Sequence, residues 1–528
     1  MSSVSRIRFR TRVGFAVAAV AVASTVAACT SAARTDAGGG GAGRPVVLAY
    51  QNQIATLDPI RADYAQTNFV AQALYDTLVT YNSDNEVVGQ LASEFSLSPD
   101  AKSIRMTLRD AQFHDGTPVT AQDVRYTLDR IAALGQGVAG QITGYRGTTI
   151  VDERNVVIEL TEPNTLFLGA LSKVYIVNSA LVQANEGSDR GQAYLAANDA
   201  GSGPYVLAPS AAADSYTVTR FDDYWAGATG RPAGLVYRRI DESATQSAEL
   251  KSGNIDVSFG LSTADARGLD GYEGVTVQSE PVNMQANIFF NVLTGPTANK
   301  AVRDVVQLAY DYSGGLASIR GGDGTIATGP LPAQFACRPD LPAFGQNLDQ
   351  AKEVLADAGL SELTLTMKFQ PVFKEQEREA TLLQSNLAQI GVTLNLEPIA
   401  YADYLAALKD PASIPQMMLA TDFAQYPDPG VMLVKTYQSD QVGTNKSGYA
   451  SAVVDDLLRR AVATSDPVAR CELYKQAQQT IRGDAVAVNM YTLSLTTAYS
   501  DRVTGVGPAV VGSGVWVPAI RAAGVDTP

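Results

Sequence analysis

The chain has 528 residues, a formal net charge of −14 and an apolar fraction of 46%. That fraction belongs to a globular protein, and the length past the N-terminal leader suffices for two or three domains. An acidic body lacks the clustered Lys and Arg that phosphate contact requires, which argues against nucleic acid as a partner. The single histidine, His114, argues against a His-based triad or a His-rich metal cage.

Arg6, Arg8, Arg10 and Arg12 precede an uncharged apolar run over residues 13–28 that ends Val26-Ala27-Ala28-Cys29. A positive start, an apolar centre and small residues at the cut form a secretory signal. The run is shorter than the roughly 20 residues of a spanning helix. The aliphatic-small-small-Cys end resembles a bacterial lipobox. That resemblance implies cleavage before Cys29, a diacylglycerol thioether on its thiol, and a protein held by lipid on the outer face of the cytoplasmic membrane. The alternative is an ordinary signal peptide with an incidental cysteine. Residues 29–43, with Gly38 to Gly41 at their centre, read as a flexible spacer.

Val46 to Tyr50 read as a short apolar strand, and residues 69–78 carry apolar residues at helical spacing. Residues 103–109 alternate as a strand, Asp115-Gly116 is a turn signal, and Thr120 with Asp123 suits a helix N-cap. Residues 363–367 and 392–396 read as strands around an amphipathic helix over 375–390 that Gly391 stops. Strand-helix-strand implies a right-handed crossover in a mixed or parallel sheet. Cys337 and Cys471 are an even pair that an exported chain can bridge, and two buried free thiols are the alternative. No Gly-x-Ser-x-Gly, His-Glu-x-x-His or P-loop occurs, so no catalytic residue, metal ligand or cofactor is expected. Tyr50, Tyr64, Tyr426 and Trp516 sit in loops or at element ends, where a cleft could use them. Gln51, Asn52 and Asn291 are polar candidates at strand ends, and for each of the aromatics the alternative is core packing.

The segment Leu91-Ala92-Ser93-Glu94, the following strand, and Phe113-His114-Asp115-Gly116-Thr117-Pro118 resemble the hallmark of family-5 extracellular solute-binding proteins, the peptide/nickel-type binding components of ABC importers. The likeness recurs at Leu57-Asp58-Pro59, Gly201-Ser202-Gly203-Pro204-Tyr205, Asp223-Tyr224-Trp225, Phe289-Phe290-Asn291, a helix from Asp349 as cap to Gly359 as stop, and Tyr426-Pro427-Asp428-Pro429.

The resemblance implies an α/β fold of the periplasmic-binding-protein-like type II, cluster C kind, with two main lobes and an extra inserted domain. Lobe I would combine residues 44–77, 201–283 and 491–528, lobe II would be 78–200 and lobe III 284–490, hinged near Asn283 and Tyr491. Ligand would lie between lobes I and III, with Asp422, Gln425, Tyr426 and Asp428 beside it, and His114 would be structural. The implied partners are a small-molecule or peptide ligand and ABC permease subunits, served by a monomer. A sensor or regulatory lipoprotein on the same fold is the alternative function, and glycans or other solutes are alternative ligands. The single histidine disfavours nickel. Peptide binders of this family place an Asp two or three residues before the acidic-Pro pair to receive the α-ammonium. Here Gln425 stands at that place, so a free α-amine is not expected to be the main recognition element.

Overall fold

A computed structural model describes residues 44–209, 215–509, 511 and 516–523. The expectations for the leader, Cys29 and the spacer lie outside the described residues.

Strand β1 (Val46–Tyr50) is followed by helix α1 (Ala65–Leu74). A four-stranded antiparallel sheet comes next, built from β2 (Ala92–Leu97), β3 (Ser103–Leu108), β4 (Tyr145–Ile150) and β5 (Asn155–Leu160) in the order β2-β3-β5-β4. Helix α2 (Ala121–Leu134) lies between β3 and β4, and α3 (Leu166–Ala170) follows β5. The chain then adds β6 (Tyr205–Ala208), β7 (Ser215–Arg220), β8 (Gly234–Arg239), β9 (Val257–Ser258) and the long β10 (Val275–Phe290). Further on come α4 (Lys300–Ala309), β11 (Thr325–Ile326), α5 (Leu348–Asp357), β12 (Thr364–Phe369), α6 (Lys374–Ala388), β13 (Thr393–Pro398), β14 (Met417–Phe423), α7 (Pro429–Tyr437), α8 (Ala452–Ala463), α9 (Pro467–Gly483) and the long β15 (Ala487–Ser500).

One mixed sheet of eleven strands runs β13-β12-β14-β10-β15-β9-β1-β8-β7-β6, with β11 added on β15. Burial follows position in it. The central strand β14 is almost continuously apolar and buried, whereas the edge strand β13 exposes alternate residues. Strands β12 and β13 pair in parallel across α6, as the strand-helix-strand pattern requires.

Only β10 and β15 run the length of this sheet. They pair antiparallel from Val275 opposite Ser500 to Phe289 opposite Ala487. Their register breaks between Pro281 and Gln285, opposite Ser494 and Thr492. Proline cannot donate to the ladder, so Pro281 marks a natural weak point. On one side of the break, a large apolar core takes in β1, α1, the whole four-stranded sheet and Val517 to Ile520, beside a smaller cluster of Ala49, Ile240, Leu250, Ile255, Leu269 and Ala498. On the other side two cores flank the sheet, one against α4, α5 and α6, the other against α7, α8 and α9. The inserted segment thus shares its core with the first segment of the chain.

Several local expectations shift. The first helix starts at Ala65, four residues early, and ends at Leu74, because Tyr75 to Leu78 leave it in extended form. Asn347, not Asp349, caps α5: its Oδ1 accepts from Gln350 N at 3.0 Å, and Asp349 falls in the first turn. Thr120 and Asp123 do form a reciprocal capping box on α2. Cys337 and Cys471 are joined as a disulfide, with Cα atoms 4.9 Å apart, tying the loop before α5 to α9.

Candidate functional site

The register of the large sheet locates a cleft. Ala49 of β1 is level with Ser258, Ala498 and Val277 across β9, β15 and β10. Strand β1 therefore runs parallel to β10 and leaves the sheet, as Gln51-Asn52, toward the register break. Strand β14 runs antiparallel to β10, with Phe423 opposite Met284, and leaves as Ala424-Gln425 toward the same break from the other side. The two strand exits face each other over the stretch 278–283, roughly 20 Å of strand. Carboxyl ends of strands bordering a crevice are where α/β sheets bind ligands.

On the β1 side, Tyr50, Gln51, Asn52, Gln66, Phe69 and Phe259 line a concavity of about 220 Å³. Phe69 sets its edge against Phe259 at 4.4 Å between ring centroids. The Gln51 amide donates to the Gly260 and Asp241 carbonyls at 2.8 and 2.9 Å, which fixes its plane at the rim. Asn52 is exposed with φ of 66°, and its backbone N–H donates to Asp241 Oδ1 at 3.0 Å. Tyr64, 56% exposed, stands at the start of α1 under the Arg61 guanidinium. Trp516 is half-buried. Its neighbour Val517 donates its N–H to Gln72 Oε1 on α1 at 3.2 Å.

On the β14 side the candidates divide. Gln425 is half-buried at the strand exit, and its amide makes no hydrogen bond within the described chain. Asp422 is buried and committed: it pairs with Lys446 and accepts from Thr436 Oγ1 at 3.1 Å. Burial pushes its pKa up, but the Lys446 and Lys435 ammonium groups outweigh that and hold the carboxyl below its usual range. Asp428 caps α7, accepting from Gly430 N at 2.9 Å, with Arg470 3.8 Å away. Burial raises its pKa despite Arg470. Both carboxylates are structural here rather than open to a ligand. Asn291 is a plainer correction. It lies at the far end of β10, eight residues past Asn283, and spends its side chain on Ile414 O, Leu293 N and Thr294 N. A residue at that end of the strand cannot reach the cleft.

Tyr426 is buried, so it is a clasp rather than an open ligand platform. Its hydroxyl donates to Leu166 O at 3.1 Å, and its ring stacks on Tyr81 at 6.1 Å and 20°. A Cβ on Gly169 would sit 2.9 Å from the Tyr426 ring and closer still to the Tyr81 hydroxyl, so glycine is required by the approach itself. Thr165 N to Val462 O at 2.9 Å, Asn85 Nδ2 to Gln334 O at 3.1 Å and Ser465 Oγ to Pro99 O at 3.2 Å join the same two parts of the chain. Segments 78–200 and 284–490 are thus joined by these contacts.

His114 lies away from the cleft. Its ring nitrogens meet Asp199 Oδ2 at 2.8 Å and Gly203 O at 2.9 Å, pinning the Phe-His-Asp-Gly turn to the Gly-Ser-Gly-Pro turn.

Sequence reasoning missed Gln66, Phe69 and Phe259, which look like ordinary core residues.

The profile for "Bacterial extracellular solute-binding proteins, family 5 Middle" matches residues 86–444. The chain is 30% identical over 466 residues to the probable D,D-dipeptide-binding periplasmic protein DdpA of Escherichia coli (strain K12), covering 85% of this chain and 89% of that one. It is 25% identical over 476 residues to the glutathione-binding protein GsiB of Salmonella typhimurium, covering 88% and 92%. The structure of HbpA2 from Haemophilus parasuis superposes with a TM-score of 0.82 at 22% identity, covering 91% of this chain and all of that one. Together with the mixed sheet and its paired long strands, these likenesses give the type II periplasmic-binding-protein fold, and the chain belongs to the family-5 bacterial extracellular solute-binding proteins.

Proposed function

We propose that this protein captures a peptide-class solute in the cleft between the β1 and β14 exits and delivers it to an ABC import permease. The observation that carries the reading is the opposed pair of strand exits over a break in the only two strands common to both halves. The relatives named for D,D-dipeptides and glutathione favour a short peptide. Lobe I is residues 44–77, 201–283 and 491–528, lobe II is 78–200 and lobe III is 284–490. The chain acts as a monomer, without chemistry of its own, and its work is a shift of population toward the closed form.

The α-amine is not the main anchor. Gln425 stands at the strand exit and the nearest buried carboxylate, Asp422, is already neutralised by Lys446. Mass spectrometry of small molecules released from gently purified protein, followed by calorimetry of the ligand found and its N-acetylated form, tests both points. Binding unchanged by acetylation is expected. A loss of about 2 kcal/mol or more overturns the amine reading.

Lipid on Cys29 holds the protein at the membrane. Cys29→Ser protein is expected in the soluble extracytoplasmic fraction without diacylglycerol. Retention in membranes at wild-type level would refute the anchor.

A further inference from the structure

Lys173 is 1% exposed, and among the described residues no carboxylate is paired with its ammonium. Its one hydrogen bond goes to a neutral partner, Asn68 Oδ1, at 2.8 Å. Tyr175 Oη donates to the same oxygen at 3.0 Å, so Asn68 holds both donors side by side. Asn68 is itself 1% exposed, and its Nδ2 has no partner. An ammonium carries three donors. Among the described residues, two of them and the Asn68 amide N–H groups meet no acceptor. A buried charge without a counterion is costly, and proteins pair such charges. Asp63, whose field favours the charged lysine, is already paired with Arg61 at 3.2 Å.

The position is what gives this cluster a use. Asn68 sits on α1, the helix whose Ala65, Gln66 and Phe69 wall the concavity at the β1 exit. Lys173 ends the turn that continues α3, whose Leu166 and Gly169 meet Tyr426. The cluster therefore joins α1 to the turn after α3, four residues along the chain from the Gly169 that packs on Tyr426. Lys435 Nζ lies 3.4 Å from Phe423 O and 4.9 Å from the Phe423 ring, and shares the field of Asp422 with Lys446. Charges on the hinge strands do not supply the counterion: Glu280 accepts from Gln278 on the same strand.

We infer that Lys173, positioned by Asn68 and Tyr175, is a subsite for a ligand carboxylate, so that the solute is recognised by its acid end. This deepens the proposed capture of a peptide-class solute and rests on that reading. In the closed form the ligand provides the counterion that the chain withholds. Burial drives the empty lysine down to about 7, so a bound carboxylate also restores its proton.

The test uses mature wild-type protein, Lys173→Met and Asn68→Asp. Methionine keeps the length of the side chain and removes the charge. Aspartate supplies an internal counterion, and so guards against a misfolded Met variant being misread. Each protein is offered an equimolar pool of alanyl, seryl and leucyl dipeptides, in D,D and L,L forms, once as free acids and once as C-terminal amides. Retained species are quantified by mass spectrometry. Wild type is expected to retain acids over amides, and both variants to bind the acids about 10- to 100-fold more weakly. Acids and amides retained alike, or acids held undiminished by both variants, overturn the subsite while leaving peptide capture standing. If neither pool is retained, dipeptide capture fails and a second measurement decides the subsite. Thermal unfolding is compared in sodium acetate and sodium chloride at equal ionic strength. An acetate-specific rise in Tm for wild type, absent in Lys173→Met, supports the subsite without peptides, and equal Tm values overturn it.

Discussion

His114 shows how one residue type carries different meanings in different surroundings. As the only imidazole in the chain it could have been a catalyst or a metal ligand, yet both ring nitrogens face acceptors, Asp199 Oδ2 and Gly203 O. Only the protonated ring donates at both positions. Burial works against the charge, but the Asp199 hydrogen bond and field outweigh it and raise the pKa above its ordinary 6.5. A raised histidine stabilises the fold fully below the unfolded pKa and loses that contribution as pH climbs through the folded one. The sole imidazole resonance in an NMR titration is expected to move above 6.5, and Asp199→Asn to bring it down. A midpoint at or below 6.5 in wild type would contradict the pinned imidazolium. Asp422 and Lys446 make the complementary case. Removing one partner strands a buried charge, so Lys446→Met is expected to cost about 3–5 kcal/mol, and adding Asp422→Asn to recover part of it. Urea unfolding of the single and double variants measures this, and a single variant as stable as wild type would show that Lys435 alone suffices for Asp422.

At the scale of elements, what could be read from the sequence was what local periodicity encodes. The β12-α6-β13 unit was legible because alternation, then helical spacing, then Gly391 at φ 78° follow one another without tertiary help. The first helix was placed late because Ala65 to Asn68 look like loop, while Tyr75 to Leu78 continue the apolar run. Tertiary structure decides otherwise: Asp76 is fully buried and takes hydrogen bonds from Gln90, Ser202, Tyr224 and Trp225, which an α-helical continuation would not place together. Asn291 failed for a related reason. A sequence reveals that a residue lies at a strand end but not which end faces a cleft; register alone settles that. Of the candidate residues, Gln51, Asn52 and Gln425 lie at strand exits, whereas Asp422, Asp428 and Tyr426 spend their side chains on contacts within the chain. The disulfide belongs to this scale as well. It spans 134 residues of sequence and anchors the loop before α5 to α9. Cross-linking so long a loop restricts the unfolded chain, so Cys337→Ser with Cys471→Ser is expected to lose about 2–4 kcal/mol. Urea midpoints of the two proteins under non-reducing conditions check this, and coincident midpoints would count against it.

Among the described residues, one large sheet carries separate apolar cores toward its two ends. Segments before β10 and after β15 pack around one large core that includes the four-stranded sheet and a smaller one around Leu250 and Ala498, while residues 284–490 pack around two others. Beyond β10 and β15, segments 78–200 and 284–490 meet through a few hydrogen bonds and a small apolar cluster of Tyr81, Ala170, Tyr426 and Val511. Contacts of that kind are cheap to break compared with core packing, and two strands with a register break at Pro281 can absorb the rotation. We therefore expect protein stripped of ligand by unfolding and refolding to be more open than ligand-saturated protein. Tyr426→Ala should open the stripped form further, because it loses the Leu166 hydrogen bond and the Tyr81 stack while leaving the large cores toward both ends of the sheet intact. Small-angle scattering gives the radius of gyration of each. A smaller radius on saturation, with the far-UV spectrum unchanged, is the expected result. A radius that stays the same from a demonstrably stripped state, in wild type and Tyr426→Ala alike, would mean the two ends of the sheet move as one and that solute enters by some route other than hinge opening.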